Sequence, residues 1–387
     1  MKSFRYLMPT EVVFGPKSLM ELRAKSAHLG SKPFVVTGRN SARVSGALDH
    51  VLKQFPDSVI FSDVEENPAT DICDQAAAQC RKSGRDFVVA IGGGSPMDVG
   101  KAVAGLIANP GPCRELFGTD TLRNGALPIA AVPTTAGTGS EVTPYSVLVD
   151  AESRTKRSIA DRALFPAVAI LDPELTRTMP PSVTASTGLD ALSQAMEGFV
   201  SRKSTPIGDA LALEACRIIR RRLPSAVADG NDLEARADMM YAAMLSGCVI
   251  AQSGTTLVHG MGYAYTTRSR VPHGLANALL LAPVFRFNAI HAPEKVAALA
   301  GALGYPASPQ PSEAGSAITR AVYELLRECG ASPAAKDAGV NSDLLPAFAD
   351  EVASEPYRFR NQLGEITRDQ VLAFYEASYE GISPPAH

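Results

Sequence analysis

Four side chains between residues 190 and 273 of this 387-residue sequence have the types and spacings of a divalent-metal site. Asp190 and Gln194 are four residues apart, so on a helix their oxygen atoms project from the same face. His259 and His273 are two of only six histidines and lie in a largely apolar part of the chain. A lone histidine on an apolar helix is more often a packed core residue than a ligand, so a structural role stays open at this point.

The residues beside the histidines indicate how the rings could be oriented. His259 belongs to the apolar segment Thr256–Met261, and Pro272 directly precedes His273. Proline is favoured in the first turn of a helix because it has no amide hydrogen to satisfy there. We therefore expect His273 at the start of a helix, with its ring directed inward.

The elements that must position these side chains divide into two kinds. Short, uniformly apolar segments with helical stretches between several of them are typical of a parallel sheet covered on both faces. They occur at residues 34–36, 59–61, 87–91, 129–132 and 167–171. After Pro181 the strand pattern ends, and amphipathic patterns predict helices at residues 183–200, 206–223, 232–253, 274–289, 312–328 and 368–380. We predict an α/β dinucleotide-binding domain at 1–180 and an all-helical metal-binding and substrate domain at 181–387.

Two loops in the first domain have the composition of a phosphate-binding site. The strand at 87–91 runs into Gly92-Gly93-Gly94-Ser95, and Pro96 then begins a helix. Glycines allow the backbone to approach a pyrophosphate, and the free amides of a helix start attract the anion. The second loop, residues 133–141, is rich in threonine and glycine and also follows a strand. Both loops should therefore open at the carboxyl edge of the sheet, where nucleotides bind in open α/β folds.

These motifs together resemble the iron-containing (group III) alcohol dehydrogenase family, which is related to the dehydroquinate synthases and glycerol dehydrogenases. The matching segments are residues 92–98, 133–144, 187–192 and 271–278. The resemblance implies a Rossmann-like nucleotide-binding domain and a helical domain that enclose a cleft for a nicotinamide cofactor and a metal, Fe²⁺ or Zn²⁺. It also implies a metal-dependent oxidoreductase that transfers a hydride between this cofactor and a small alcohol or aldehyde.

The resemblance assigns the metal to Asp190, Gln194, His259 and His273, of which Asp190 and the two histidines are also catalytic. At Gln194 the family usually has histidine, and an amide oxygen is a weaker ligand than imidazole, so we expect this corner of the site to hold the metal least tightly. Tyr263 is a second departure, because many members have a histidine there near the nicotinamide. Its hydroxyl could transfer a proton if a cation lowered its pKa from about 10. Alternatively, it shapes the substrate pocket.

The cofactor residues follow partly from the loops and partly from the resemblance. We expect contacts from Gly93, Gly94, Ser95, Thr134, Thr135, Thr138, Asn67, Tyr145 and Lys156, with Asp98 supporting the glycine loop. An acidic residue at the end of the first Rossmann-type strand would select NAD(H), because such a residue binds the ribose 2′-hydroxyl and repels a 2′-phosphate. That position is Gly38, followed by Arg39, Ser41 and Arg43. The loop therefore favours NADP(H) over NAD(H).

Composition and charge exclude several other classes of function. A net charge of −3 gives no reason to expect nucleic-acid binding, and no apolar run reaches the ~18–20 residues of a membrane span. The N-terminus lacks the apolar core of a signal peptide, so we expect a cytoplasmic protein with a small-molecule alcohol or aldehyde substrate. The family habit predicts a homo-oligomer, a dimer or larger.

Three alternatives differ from the metal-dependent dehydrogenase in what they need. A metal-independent, maleylacetate-type reductase would tolerate the glutamine at position 194. A synthase resembling dehydroquinate synthase would consume no net NADPH, but the segments at 187–192 and 271–278 favour the dehydrogenases. A non-catalytic cofactor-binding protein would explain both Gln194 and Tyr263 as decay of the site.

Overall fold

The computed structural model describes residues 3–153 and 155–382, and the chain divides into two compact units. One unit is Leu7–Met179, and the other contains the chain from Pro180 onward together with the segment that ends at Tyr6. The division falls one residue before the boundary expected from the sequence. The sequence did not indicate that the Tyr6 segment belongs with the C-terminal unit, where a hydrogen bond links Tyr6 to Cys248.

The unit Leu7–Met179 is built on a six-stranded parallel sheet with the strand order β1-β9-β6-β4-β2-β3. These strands are β1 (Glu11–Phe14), β2 (Pro33–Gly38), β3 (Val59–Val64), β4 (Phe87–Gly92), β6 (Ile129–Pro133) and β9 (Val168–Leu171). A small second sheet contains β5 (Gly118–Thr119), β7 (Tyr145–Val149) and β8 (Lys156–Ala160). The helices are α1 (Leu22–Ser26), α2 (Ser41–Val44), α3 (Ala47–Gln54), α4 (Thr70–Ser83) and α5 (Gly94–Ala108).

The four inner strands explain why the sequence reads as uninterrupted apolar segments. Every residue of β2, β4, β6 and β9 is buried. Successive side chains enter different cores, since Phe34 and Val88 belong to one cluster and Val35 and Phe87 to another. A strand buried on both faces has no polar side, so it shows no alternation. The predicted parallel α/β fold is confirmed.

The second unit is helical in its described residues. Its helices are α6 (Pro181–Val200), α7 (Pro206–Ala228), α8 (Leu233–Ser253), α9 (Leu257–Ser269), α10 (His273–His291), α11 (Pro293–Ala302), α12 (Pro311–Glu328), α13 (Leu345–Ser354) and α14 (Arg368–Glu380). The sequence patterns did not predict α9, α11 and α13. α9 escaped detection because most of it is buried all round, and such a helix has no amphipathic period.

Two glycines allow the helices that carry the predicted metal ligands to pack closely. A Cβ atom at Gly274, in the first turn of α10, would lie 1.8 Å from the carbonyl oxygen of Ser186 and 2.9 Å from Asp190 Cβ on α6. A Cβ atom at Gly262 on α9 would lie 2.0 Å from Asn277 Oδ1 on α10. Only glycine permits these distances, so the backbone of α10 is held against both α6 and α9.

No single helix in the described part of the chain combines the length and apolar composition needed to cross a bilayer. Helices α8 and α9 meet that test only when they are taken together, and the chain bends by 113° between them. Most residues of both helices are buried inside the unit.

Candidate metal centre and cofactor site

Three of the four predicted metal ligands come together in the helical unit. Asp190 lies on α6, His259 on α9, and His273 is the first residue of α10. Each offers one ligand atom, and these atoms lie within 4.8 Å of one another. Asp190 Oδ1 is 3.4 Å from His259 Nε2 and 3.9 Å from His273 Nε2. The helix start expected at His273 is observed, with Pro272 as the cap and His273 as the first helical residue.

Gln194 lies beside this cluster but contacts a different oxygen of the carboxylate. Its Nε2 donates a hydrogen bond to Asp190 Oδ2 at 3.0 Å, whereas both imidazole contacts are to Oδ1. The amide oxygen of Gln194 faces the Ser246 hydroxyl on α8, 3.2 Å away.

The sequence reasoning missed Glu197, a fully buried carboxylate one turn beyond Gln194. Its Oε2 pairs with His259 Nδ1, and its Oε1 accepts hydrogen bonds from the Thr256 hydroxyl at 2.8 Å and the amides of Thr256 and His259 at 2.9 and 3.2 Å. Metal-bound histidines commonly donate their second ring nitrogen to a carboxylate in this way. The spacing 190, 194, 197 along one helical face was the signal that could have identified it.

The electrostatics of the cluster are those of two buried carboxylates. Burial alone would lower the pKa of His259, but the charge of Glu197 and the hydrogen bond with Asp190 raise it to about 10. Burial likewise opposes ionisation of Asp190, yet the hydrogen bond with His259 and the charge of His273 leave its pKa below the ordinary value. The carboxylates therefore favour any positive charge among them. One carboxylate and two imidazoles are a suitable donor set for Zn²⁺ or Fe²⁺, so these residues fit the metal that the resemblance implies.

Tyr263 contacts the metal cluster through a ring stack. Its ring lies parallel to that of His273, with centroids 5.6 Å apart and an interplanar angle of 9°. The Arg358 guanidinium lies 5.6 Å from the centroid of the Tyr263 ring. The Thr266 hydroxyl is 3.4 Å from His273 Nδ1. Tyr263 therefore borders the outer of the two histidines.

The glycine loop and the threonine loop of the α/β unit pack against each other. The amide of Thr134 donates to the carbonyl oxygen of Gly92 at 2.9 Å. A Cβ atom at Gly94 would lie 2.9 Å from Thr138 Cγ2, and one at Gly93 would lie 3.3 Å from Thr135. Helix α5 begins at Gly94 without a side-chain cap, so its first amides are available to an anion. The buried Thr134 hydroxyl has no hydrogen-bond partner in the described chain, so it could form a hydrogen bond with a bound ligand.

A buried lysine that the sequence reasoning did not single out ties the threonine loop to α5. Lys101 Nζ donates to Ser140 O at 2.6 Å, Ser140 Oγ at 2.8 Å, Thr143 Oγ1 at 3.2 Å and Tyr145 O at 2.8 Å. Asp98 accepts a hydrogen bond from Ser140 Oγ at 3.2 Å. Asp98 therefore contacts the threonine loop, and Tyr145 contacts this network through its backbone.

Two carboxylates, those of Asp98 and Glu141, act electrostatically on the buried ammonium group. Burial lowers the pKa of Lys101 to about 8, although the charges of Asp98 and Glu141 oppose this. Burial raises the pKa of Asp98 to about 6 and that of Glu141 to about 7, and the Lys101 charge counters both shifts. The position of Lys101 one helical turn after Asp98 was the available sequence signal.

The loop predicted to select the cofactor is exposed, as a ribose-binding loop must be. Gly38 ends β2, and Arg39, Ser41 and Arg43 follow on the surface. The Arg39 side chain is 59% exposed, and it pairs with Glu65 at 2.8 Å and more loosely with Asp63 at 3.8 Å.

Asn67 and Lys156 lie at neighbouring positions. Asn67 is exposed with a φ of 53°, and the carbonyl oxygen of Pro68 accepts from the amide of Val149 at 2.9 Å. Val149 in turn pairs with Lys156 across β7 and β8. The Lys156 charge acts on the buried Asp98, so this segment borders the loop network.

The two units define a class of protein that combines a nucleotide-type α/β unit with a helical unit carrying an Asp/His/His cluster. Family models identify it further. The model described as iron-containing alcohol dehydrogenase matches residues 9–173, and the C-terminal model of the Fe-containing alcohol dehydrogenase family matches residues 184–379. The chain belongs to the iron-containing alcohol dehydrogenase family, which confirms the resemblance seen in the sequence.

Relatives of known activity support the same enzyme class. The chain is 34% identical over 367 residues to 1,3-propanediol dehydrogenase of Klebsiella pneumoniae, covering 93% of this chain and 95% of that one. A solved 1,3-propanediol oxidoreductase superposes with a TM-score of 0.93 at 33% identity, covering 97% of this chain and 100% of the other. A sulfoacetaldehyde reductase from Bifidobacterium kashiwanohense, solved with NAD⁺, gives 0.87 at 32% identity, with 98% and 99% covered. The chain is therefore a nicotinamide-dependent oxidoreductase of the iron-type alcohol dehydrogenase class, acting on small alcohols or aldehydes.

Proposed function

We propose that Asp190, His259 and His273 hold one divalent ion, Fe²⁺ or Zn²⁺, and that the enzyme interconverts a small aldehyde and its alcohol with NADP(H). The approach of three ligand atoms to within 4.8 Å, beside the buried Glu197, is the observation that carries this proposal. When bound, such an ion polarises the oxygen of a carbonyl or alcohol as a Lewis acid.

The side chains around the cluster fix its geometry. Glu197 orients the His259 ring through Nδ1 and leaves Nε2 directed at Asp190. Tyr263 packs flat on His273, and we assign it the role of holding that ring and bordering the substrate, in preference to proton transfer. Tyr263→Phe keeps the stack and should change kcat by only a few-fold, whereas Tyr263→Ala should lower it further. A large loss of kcat in Tyr263→Phe, with its pH profile altered, would instead support the hydroxyl as a proton donor.

Metal analysis tests the core of the proposal. Protein purified without oxygen should contain about one Fe or Zn ion per chain, lose activity on exhaustive chelation, and regain it when either ion is returned. His273→Ala should lose the ion, whereas His50→Ala, a change of an exposed histidine in the other unit, should retain it. Full activity after chelation would favour a metal-independent reductase. NADPH binding without turnover of any aldehyde in a broad panel would favour a non-catalytic protein.

The NADP(H) preference is a separate part of the proposal. No carboxylate stands at Gly38, and Arg39 and Arg43 are exposed beside it, although a 2′-phosphate must compete with Glu65 for Arg39. We expect a higher kcat/KM with NADPH than with NADH, and a several-fold loss with NADPH alone in Arg39→Ala. Arg217→Ala removes a paired arginine of similar exposure, 54%, in the helical unit and should change neither value. A clear preference for NADH, the cofactor type bound by the solved sulfoacetaldehyde reductase, would contradict this part.

A further inference from the structure

We infer that Gln194 is not a metal ligand but a positioning residue that acts through Asp190, so that three protein side chains hold the ion. The inference rests on the proposed metal site and specifies how this chain completes that site where its glutamine replaces the usual histidine.

The two oxygens of Asp190 face different groups. Both imidazoles approach Oδ1, at 3.4 Å for His259 and 3.9 Å for His273. Gln194 approaches Oδ2, and it does so with Nε2, a donor, at 3.0 Å. An ion shared by the two rings and the carboxylate therefore belongs at Oδ1, while the amide occupies the other oxygen.

The orientation of the Gln194 amide follows from what it meets at each end. Its oxygen lies 3.2 Å from the Ser246 hydroxyl, whose single proton is shared with the carbonyl oxygen of Ala243 at 2.8 Å. Turning the amide over would place its oxygen 3.0 Å from Asp190 Oδ2, with two acceptors in contact and no proton between them. Both side chains are buried, and an unmet acceptor in a buried site is unfavourable.

A second amide holds the same carboxylate from another helix. Asn277 on α10 is fully buried, and its Nδ2 donates to Asp190 Oδ1 at 3.0 Å. Asp190 therefore accepts a hydrogen bond from Gln194 at Oδ2 and one from Asn277 at Oδ1. These two hydrogen bonds restrict rotation of the carboxylate. An Asp/His/His shell leaves a coordination position open, as catalytic metal sites require.

If Gln194 is a positioning residue, its loss should affect metal affinity as the loss of Asn277 does, and less than the loss of a residue that binds the ion. Loss of an outer hydrogen-bond partner of a ligand typically weakens metal binding by about 10–100-fold. Loss of a ligand removes a bond to the ion itself and should weaken binding much more. Replacing Gln194 with histidine should add an imidazole to the shell and tighten binding.

Zn²⁺ affinity measured on the full-length chain, by competition with a chromophoric chelator, tests this order. We expect Gln194→Leu and Asn277→Leu to weaken Zn²⁺ binding to a similar extent, about tenfold, and His273→Ala to weaken it far more than either. Gln194→His should bind Zn²⁺ more tightly than the wild type. A Gln194→Leu variant as weak as His273→Ala would overturn the inference while leaving the metal site intact.

A crystal structure of the wild-type protein loaded with Zn²⁺ gives an independent answer that does not depend on the folding of any variant. We expect bonds of about 2.0–2.2 Å from Asp190, His259 and His273, and no bond from Gln194. A bond of that length from Gln194 Oε1 to the ion would overturn the inference. A wild type that binds neither Zn²⁺ nor Fe²⁺ would overturn the proposed metal site itself, and the inference with it.

Discussion

Two buried polar clusters of this enzyme differ in how their charge is balanced. In the α/β unit, the Lys101 ammonium interacts electrostatically with Asp98 and Glu141, so the cluster contains its own cation. In the helical unit, Asp190 and Glu197 contact imidazoles, amides and a threonine among the described residues. The first cluster is complete as it stands and serves as a support. In the second, the carboxylates raise the pKa of His259 to about 10, so they favour a positive charge that a proton or a metal ion can supply, and this makes the cluster a candidate binding site.

The clusters also differ in the part of the chain that makes them. The two loops predicted to bind the cofactor offer glycines and backbone amides from short, continuous segments, and Lys101 on α5 donates hydrogen bonds to Ser140 and Tyr145. The metal cluster uses side chains from three helices that meet through Gly262 and Gly274. The two loops therefore depend on the local sequence of short segments, whereas the helical site depends on how three helices pack.

The largest effect should come from removing the Asp190 charge from the cluster in the helical unit. Asp190→Asn preserves the shape of the side chain but weakens the ligand, so we expect kcat/KM to fall by roughly 10³-fold, equivalent to about 4 kcal/mol. NADPH affinity, measured by fluorescence, should stay unchanged because the cofactor loops lie in the other unit. Asp49→Asn, at an exposed position, is the control. A parallel loss of NADPH binding would show that the two clusters are not independent.

Removing Lys101, the cation of the cluster in the α/β unit, should instead lower the free energy of unfolding. Lys101→Met leaves Asp98 and Glu141 without their counterion and the carbonyl oxygens of Ser140 and Tyr145 without a donor. We expect the free energy of unfolding to fall by about 3 kcal/mol or more, together with weaker NADPH binding.

Chemical denaturation and NADPH titration check the Lys101→Met prediction, with the exposed Lys82→Met as the matched control. Zn²⁺ affinity should remain at the wild-type value in Lys101→Met. Loss of Zn²⁺ binding in the folded variant would contradict the separation of the clusters.

A smaller change is expected from Glu197, which acts on the ion through His259. Glu197→Gln keeps the volume but removes the charge that orients the ring, so Zn²⁺ affinity should fall by about 10–100-fold. Activity should recover when excess Zn²⁺ is supplied, because the three ligands are retained. Exposed Glu214→Gln should have no effect on either measurement. Unchanged Zn²⁺ affinity in Glu197→Gln would mean that the buried carboxylate is not a partner of the ligand.

The smallest effect concerns the pH dependence of stability that Glu141 causes in the α/β unit. Burial raises the pKa of Glu141 to about 7, so between about pH 4.5 and pH 7 the folded chain binds a proton that the unfolded chain has released. Stability due to this group is therefore present at low pH and falls as pH rises through that window.

Glu141→Gln removes this titration. The stability of the variant, relative to the wild type, should increase by about 1–2 kcal/mol between pH 5 and pH 8. Glu66→Gln, an exposed change in the same unit, should show no such trend in thermal unfolding followed across this range. A relative stability that stays constant from pH 5 to pH 8 would argue against a neutral Glu141 in the folded protein.

Much of the fold could be predicted because its signals are local. The buried strands appear as apolar segments, and α14 begins at Arg368, where the amphipathic pattern of residues 368–380 predicted a helix. Helix α9 could not be predicted, because its environment is apolar on nearly every side and leaves no periodic pattern. The short strands β7 and β8 were also missed, since partly exposed strands of five residues lack a continuous apolar signal.

The sequence by itself determined the chemical types: glycines at the phosphate-type loop, and a carboxylate and two imidazoles at spacings that mark a metal site. Only the tertiary structure decided which atoms meet. In the folded chain Glu197 pairs with His259, and Lys101 donates a hydrogen bond to Ser140 in the threonine loop. The amide of Gln194 donates to Asp190 Oδ2. The physical reason is that a side chain's role depends on its partners in buried surroundings, and those partners come from helices and loops far apart in the chain.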